Sequence, residues 1–322
     1  MRCSELKTKL IFKKIDSRLR GNVKQEIATA LQAFGCTAAI IAPALPAMGR
    51  VVRDGILLWA GCSGEGQIDI CHLLAQHGMS LEKIATIRIR TQDFQKFSSE
   101  LDVQIDKGKQ FFIVDSESQH DLQFTVASGI KLAPNILWVG SAGLGMALAN
   151  HIGKPHTRKS NPATADRPLM FVIGSTHLAT LQQKKTLLTA TSAVEVAPKP
   201  GTIDRARHAL RGKRHLVVTI EFGNVSESCL RQFFAGLEGI RVSGMFLTGG
   251  DTGTLVCKAI GAHSIDLCDE IATGFPWGIL SGGMFHGLPV ASKSGSFGER
   301  DALLRCAEFF GRRESRDERY FV

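Results

Sequence analysis

The sequence lacks the features of a membrane, secreted or fibrous protein. Its 322 residues include one tyrosine and 10 prolines, and no apolar run approaches the roughly 20 residues that span a bilayer. The first residues carry a three-residue apolar run followed by charge, which is not a secretory signal. We therefore expect a globular cytoplasmic protein with no membrane partner.

Cysteine pairs and histidine clusters are also missing. The eight cysteines stand singly in apolar surroundings, without a CxxC pair or a zinc-like Cys/His array. None of the ten histidines has a spacing typical of a metal site or of a Ser/His/Asp triad. The sequence therefore predicts reduced thiols and no metal-ligating residues.

Positive charge is in excess, with 39 basic and 30 acidic residues and a net charge of +9. Such a surface attracts anions such as nucleotides, phosphosugars and carboxylates. The basic residues are scattered, and zinc-finger spacings, basic regions with heptads and aromatic RNP-like strands are absent. We therefore expect small anionic ligands and no nucleic acid.

Strand-length apolar runs alternate with helix-period segments, a pattern typical of parallel sheets covered by helices. The predicted strands lie at 36–43, 110–115, 135–140, 169–174, 215–220 and 244–250. Residues 151–168 lose this periodicity and gain proline, lysine and small polar residues, as linkers do. We predict an α/β protein of two domains, 1–150 and 169–322, each a mostly parallel sheet in a three-layer arrangement.

The most informative turn follows the run at 244–250 and contains Gly249, Gly250, Asp251 and Thr252 ahead of an amphipathic segment. Free amides at a helix start, without a Cβ in the way, bind anions. Asp251 would repel a phosphate unless a cation or a substrate proton lies between them. The alternative is that Asp251 or Thr252 simply caps the helix.

Two further glycine turns have the same strand-to-helix setting. One carries Lys293, which could neutralise phosphate oxygens as a point charge, and Gly295. The other carries Ser175, which could instead be an ordinary helix cap. None of the three turns matches GxxxxGK[ST], so a P-loop is excluded.

A fourth glycine turn, at residues 139–145, has the order GxxGxG rather than the dinucleotide fingerprint GxGxxG. We interpret it as close packing of a helix on a strand. An NAD-linked oxidoreductase is the alternative.

The amino-terminal segment from Lys13 to Asn22 combines cations, a carboxylate and a hydroxyl. A hydroxylated, carboxylated ligand needs cations such as Lys14 for its carboxylate, with Asp16 and Ser17 for its hydroxyls. A solvated basic helix start is the alternative. Arg50, after two prolines, fits a strand end that presents it into a cleft; the alternative is that it braces Asp54.

Seven segments occur in an order that closely resembles the four-carbon acid sugar kinase family: KKIDSRLRGN, APALPAMGRVVRDG, FFIVD, VGSAGL, IGS, TGGDT and KSGSFG. The resemblance implies ATP-dependent phosphorylation of a terminal hydroxyl on threonate, erythronate or 3-oxo-tetronate. It also implies a sugar-acid-binding amino-terminal domain and an ATP-binding carboxy-terminal domain. The substrate segment would include Lys14, Asp16, Ser17 and Arg18, the last in place of a frequent threonine. The nucleotide segments would include Ser175, Gly249, Gly250, Asp251, Thr252 and Gly295.

The family's opening strand and DDLTGA-type turn have no counterpart in the sequence. We therefore expect an incomplete first domain, and an inactive remnant that retains nucleotide binding is the alternative to an enzyme. For a kinase, Mg²⁺ and Lys293 would absorb phosphate charge, and Asp251 or Asp16 would accept the hydroxyl proton. A homodimer stays open.

Overall fold

The computed structural model describes residues 10–60, 65–76, 80–89, 93–130, 135–153 and 167–311. Most of the predicted linker at 151–168 lies outside these residues. By its contacts the chain divides into two units, Met1–His156 and Thr157–Val322. Within the described part, no helix has the length and hydrophobicity needed to cross a membrane.

The first unit is built on a five-stranded parallel sheet. Its strands are β1 (Ile11–Lys14), β2 (Ala38–Ala42), β6 (Ile84–Ile87), β7 (Phe111–Val114) and β8 (Ile136–Gly140). Their order is β1-β8-β2-β7-β6, and each neighbouring pair is parallel. A small antiparallel sheet contains β3 (Arg50–Arg53), β4 (Ile56–Trp59) and β5 (Gly66–Asp69).

Helices cover the strands of the first unit. They are α1 (Val23–Ala33), α2 (Ile70–Gln76), α3 (Phe94–Asp106), α4 (Gln119–Gly129) and α5 (Ala142–Ile152). Strands β2, β7 and β8 are buried along their whole length. Burial on both faces explains why these strands read as continuous apolar runs in the sequence.

The second unit contains a seven-stranded mixed sheet. Its strands are β9 (Leu169–Ile173), β10 (Val194–Val196), β11 (Leu216–Thr219), β12 (Gly244–Thr248), β13 (Ser264–Glu270), β14 (Pro276–Ser281) and β15 (Pro289–Lys293). The order is β10-β11-β9-β12-β15-β14-β13. The first five strands are parallel, whereas β14 and β13 add to the edge as antiparallel strands.

The helices of the second unit are α6 (Leu178–Ala190), α7 (Ile203–Arg211), α8 (Glu227–Ala235), α9 (Gly250–Ile260) and α10 (Ala302–Gly311). Alternate residues of β9 enter two different cores, Met170 and Val172 on one face and Phe171 and Ile173 on the other. A sheet with a packed core on each face has helices on both sides. The predicted α/β class, with mostly parallel sheets covered by helices, is confirmed.

The glycine turn at 139–145 is tightly packed. A Cβ on Gly140 would lie 2.6 Å from the carbonyl oxygen of Ala42, and one on Gly143 would lie 2.5 Å from that of Ala44. Ser141 donates its hydroxyl to Ala44 O at 2.8 Å and also caps α5. This turn therefore joins α5 to the end of β2, as interpreted from the sequence.

Candidate functional site

Three strand-to-helix turns of the second unit lie together. They follow β9, β12 and β15, which are neighbouring parallel strands, so all three turns are at one edge of the sheet. The amide of Gly249 donates to Lys293 O at 2.9 Å. A Cβ on Gly249 would lie 3.7 Å from Ser175 Cβ, and one on Gly295 would contact Ser175 as well. We call this cluster the three-turn corner; it comprises residues 174–177, 249–252 and 294–298.

Helix α9 opens on the three-turn corner with unused amides. Its N-cap is Gly249, at φ 96°, and no side chain accepts a hydrogen bond from the first turn. The alternative that Asp251 or Thr252 caps α9 is therefore wrong, because both residues already lie inside the helix. The amides of Gly250, Asp251 and Thr252 have no partner among the described residues. Unpaired amides and the helix dipole together favour an anion at this position.

Two buried hydroxyls add hydrogen-bonding capacity near this helix start. Thr248 and Thr252 are 0% and 1% exposed, and neither hydroxyl has a hydrogen-bond partner among the residues that the structure describes. Most buried polar groups are paired, so orphaned ones next to open amides mark a place suited to a polar ligand. Thr252 Oγ1 also lies where a Cβ on Gly174 would be, which explains the glycine at that position.

The turn after β9 is arranged differently from the sequence interpretation. The residue that caps α6 is His177, whose Nδ1 accepts a hydrogen bond from Ala179 N at 3.2 Å. Ser175 Oγ accepts a hydrogen bond from His177 N at 3.3 Å, in the loop before the helix. The alternative of Ser175 as a helix cap is therefore wrong, and its side chain instead borders Gly295.

Lys293 lies beneath the turn that follows it. Its side chain is 3% exposed, and Nζ donates to Thr180 Oγ1 at 3.0 Å, Ser294 O at 3.1 Å and Gly295 O at 3.4 Å. Burial lowers the pKa of Lys293 to about 8. The sequence indicated a cation at this turn but not that the ammonium group points into the protein.

One exposed aromatic ring borders the three-turn corner. Phe222 is 50% exposed and follows β11, the strand beside β9. Its ring would lie 2.8 Å from a Cβ on Gly174. Phe222 was not identified from the sequence, although a single aromatic shortly after a buried strand is a recognisable signal for a residue at the ligand edge of a sheet.

In the first unit, the turn after β1 is organised around Asp16. Its Oδ2 accepts hydrogen bonds from Arg18 N at 3.0 Å, Arg20 N at 3.3 Å and Arg20 Nε at 2.9 Å, while Oδ1 accepts from Arg20 Nη2 at 2.8 Å. Burial alone would raise the pKa of Asp16, but the bonds from the Arg20 side chain and the Arg18 amide outweigh it and lower the pKa to about 2. Ser17 lies in the same turn.

The predicted cations gather at this turn. Arg18 stacks on Trp59, 4.6 Å from the ring centroid, and Lys14 Nζ donates to Ile15 O at 2.8 Å. Arg50 is 1% exposed, and its pKa is lowered by burial and then by the nearby charge of Arg18.

The sequence left two possibilities for Arg50, a place in a cleft or bracing of Asp54. The Asp54 carboxylate pairs with Arg88 at 2.7 Å, while the charges that act on Arg50 include those of Arg18 and Asp16. We call the group Lys14, Asp16, Ser17, Arg18 and Arg50 the Asp16 cluster.

Comparison with known proteins assigns the two halves of the chain. Residues 2–148 match the model of a sugar-binding N-terminal domain, and residues 175–303 match that of a nucleotide-binding C-terminal domain. A D-threonate kinase of Bordetella bronchiseptica is 29% identical over 326 residues, which cover 92% of this chain and 77% of the relative. A D-erythronate kinase of Heliobacterium modesticaldum is 26% identical over 357 residues, covering 93% and 79%. The chain belongs to the four-carbon acid sugar kinase family.

The fold agrees with solved structures. A Haemophilus influenzae protein superposes with a TM-score of 0.68 at 18% identity, covering 95% of this chain and 83% of its own. In this member of the four-carbon acid sugar kinase family, the Asp16 cluster falls inside the sugar-binding match, and the three-turn corner falls inside the nucleotide-binding match apart from Gly174.

Proposed function

We propose that this protein is an ATP-dependent kinase that phosphorylates a terminal hydroxyl of a four-carbon acid sugar such as threonate, erythronate or 3-oxo-tetronate. One observation carries the proposal: unpaired backbone amides of two turns lie together at the three-turn corner. Those of Gly250, Asp251 and Thr252 open α9, and those of Gly295 and Ser296 have no partner among the described residues. The names of the curated relatives support the substrate class.

The three-turn corner fits the phosphates of ATP. Phosphate oxygens only accept hydrogen bonds, so they suit amides and hydroxyls that lack acceptors. Glycines at 249, 250 and 295 let a phosphate approach the backbone itself. Ser175 and Thr252 supply hydroxyls, and the exposed Phe222 ring is placed to stack on the base.

Asp251 is our candidate for the catalytic base and for a magnesium contact. Its side chain is exposed in the first turn of α9, beside the unpaired amides. Among the described residues, no group of three His, Cys, Asp or Glu side chains could hold a metal by itself. Mg²⁺ in kinases is bound by one or two carboxylates together with substrate phosphates, so a single carboxylate fits such an ion. When bound, the ion would neutralise phosphate charge.

Asp16 is the weaker candidate for the base. A carboxylate with a pKa of about 2 and four hydrogen bonds accepts a proton poorly near neutral pH. We assign Asp16 to fixing the turn and to accepting from a sugar hydroxyl, together with Ser17. Lys14, Arg18 and Arg50 would bind the carboxylate of the sugar acid.

The proposal is tested by incubating the purified protein with ATP, magnesium and D-threonate, D-erythronate or 3-oxo-tetronate, and measuring ADP release and the phosphorylated product. We expect turnover with at least one of the three acids and none without acid. Calorimetric titration with ATP and with each acid separates an enzyme from an inactive remnant. Heat with ATP but with none of the acids would support the remnant, and no heat with ATP would refute the nucleotide site.

A further inference from the structure

Side chains of helix α6 hold the turn after β15 through hydrogen bonds to the carbonyl groups of that turn. Thr180 Oγ1 donates to Gly295 O at 2.6 Å. Gln183 Nε2 donates to Phe297 O at 3.0 Å and to Gly298 O at 2.7 Å. Thr180 and Gln183 are 0% and 1% exposed. Polar side chains are rarely placed so deeply on a helix face, and here they fix the orientation of three peptide groups.

The captured carbonyls determine where the amides of the turn point. In a trans peptide, the N–H of each residue points away from the carbonyl of the residue before it. Ser294 O and Gly295 O both accept from the Lys293 ammonium group below the turn. The amides of Gly295 and Ser296 therefore point to the opposite side, where neither has a partner among the described residues.

Lys293 is a buried charge that has no counter-ion in the described part of the chain. An ammonium group has three N–H donors, and its three hydrogen-bond partners are neutral: one hydroxyl and two carbonyls. No carboxylate in the described part of the chain lies within ion-pair distance of Nζ. An uncompensated buried charge is destabilising. Its retention at this point is explained if an anionic ligand supplies the missing charge.

We propose that Lys293 is the buried counter-charge for the nucleotide phosphates and acts through the turn at 294–298, which Thr180 and Gln183 hold with its amides facing the ligand. This inference rests on the proposed nucleotide site. Lys293 is thus a positioning residue rather than a direct phosphate ligand, because all three donors are engaged beneath the turn.

The groups around Lys293 leave its ammonium as the relevant titrating site. Cys306 on α10 is its titratable neighbour, and burial raises the pKa of that thiol far above neutrality, so the thiol stays uncharged where Lys293 titrates. Of the charged residues on the helices around Lys293, Lys184 of α6 pairs with Glu195, and Arg305 of α10 pairs with Asp301. Asp251, exposed at the start of α9, and His177, whose ring caps α6, are the remaining groups at the three-turn corner.

The proposal predicts a pH dependence of nucleotide binding. Because the pKa of Lys293 is about 8 in the unliganded protein, its positive charge is mostly lost between pH 7.5 and 9.5. The ATP affinity of the unaltered protein, measured by calorimetry without magnesium, should fall about tenfold over this range. Lys293→Met should bind ATP about tenfold more weakly at pH 7.5 and show no fall toward pH 9.5.

Matched variants on α6 serve as controls. Lys185→Met removes an exposed lysine of α6 and should leave both the affinity and its pH dependence unchanged. Thr180→Val and Gln183→Leu should weaken ATP binding several-fold, whereas Thr189→Val and Gln182→Leu, at exposed sites, should not. These α6 variants keep the test valid if Lys293→Met does not fold.

The outcomes separate this inference from the proposed function. If the unaltered protein does not bind ATP, both are overturned. If it binds ATP but Lys293→Met binds equally tightly, or binds more weakly with an unchanged pH slope, the role of Lys293 is refuted and the kinase proposal stands. Unchanged ATP affinity in both Thr180→Val and Gln183→Leu would refute the anchoring of the turn.

Discussion

Each unit places charged groups after the carboxyl ends of its own parallel strands, but the two units differ in the carboxylates that accompany these groups. In the first unit, Asp16 is paired with Arg20, and Lys13 with Glu26 at 2.5 Å. In the second unit, Lys293 and the amides that open α9 face no carboxylate partner among the described residues. A site that combines a carboxylate with cations suits a ligand that has both hydroxyls and a carboxylate. A site with uncompensated positive character is suited to a polyanion.

This difference corresponds to the different hydrogen-bonding groups that a sugar acid and a nucleotide need. A sugar acid has one carboxylate and several hydroxyls, so it needs both donors and acceptors. The Asp16 cluster offers both, with the Asp16 carboxylate already fixed by Arg20. A triphosphate needs donors almost exclusively, which is what unpaired amides provide.

The largest effect is expected for Asp251→Asn. If Asp251 is the base that we propose, its removal should lower kcat about a hundredfold to ten-thousandfold, as measured by ADP release. ATP affinity should be retained or increase, because the substitution removes a negative charge beside the phosphates. Asp266→Asn, at an exposed position of β13, is the control. Unchanged turnover in Asp251→Asn would remove the assignment of the base.

A smaller effect, confined to the first unit, is expected for Asp16→Asn. The substitution breaks the double contact with Arg20, so affinity for the sugar acid should fall about tenfold. ATP affinity should stay the same. Asp102→Asn, exposed on α3, is the control for the charge change. An equal loss of ATP and sugar-acid affinity would contradict the division between the two sites.

The same variant tests the charge pairing through stability. The pKa of Asp16 is about 2 in the folded protein against an ordinary 3.8. The stabilisation that it contributes is therefore fully present above pH 3.8 and is lost as the pH falls toward 2. The difference in urea midpoint between the unaltered protein and Asp16→Asn should shrink over that interval.

Most fully buried strands were predictable from the sequence, whereas the short or partly exposed strands were not. The apolar runs gave β2, β7, β8, β9, β11 and β12. Strand β13 was missed because it has exposed polar residues and lies at the sheet edge. The three-residue β10 and the strands of the small antiparallel sheet were missed for a similar reason, since short and partly exposed strands lack a continuous apolar signal.

The site was predictable where glycine and local order decide it. Gly249, Gly250 and Gly295 were identified because strand, turn and helix follow one another in the sequence. Thr180 and Gln183 could not be found this way, since they look like ordinary polar residues of an exposed helix face. Their burial arises only when α6 packs against a turn more than a hundred residues away.

Phe222→Ala should weaken ligand binding in the second unit alone, by removing a contact with the base of ATP and not with its phosphates. Loss of stacking should raise the KM for ATP about tenfold. The affinity for inorganic triphosphate should not change, because the amides that bind phosphate are untouched. Leu267→Ala removes a more exposed apolar side chain, at 70%, and is the control. Equal weakening of ATP and triphosphate would show that Phe222 supports the turn after β9 rather than the base.

The last effect concerns the stability of the protein without nucleotide, where the buried charge of the second unit has no ligand to compensate it. The pKa of Lys293 is lowered from 10.5 to about 8 on folding, so the unfolded chain binds more protons between these two values. The free energy of unfolding should therefore rise with pH in that window, by up to about 2 kcal/mol between pH 7.5 and 9.5. In Lys293→Met this contribution is missing, and the difference between the two proteins in urea unfolding should change by the same amount.

If the difference in free energy of unfolding between the unaltered protein and Lys293→Met stays constant with pH, burial does not destabilise the charged form of Lys293. The stability measurement then connects to binding, because a charge that destabilises the free protein is relieved when a phosphate compensates it. ATP should accordingly stabilise the unaltered protein more than Lys293→Met at pH 7.5, and this advantage should vanish at pH 9.5.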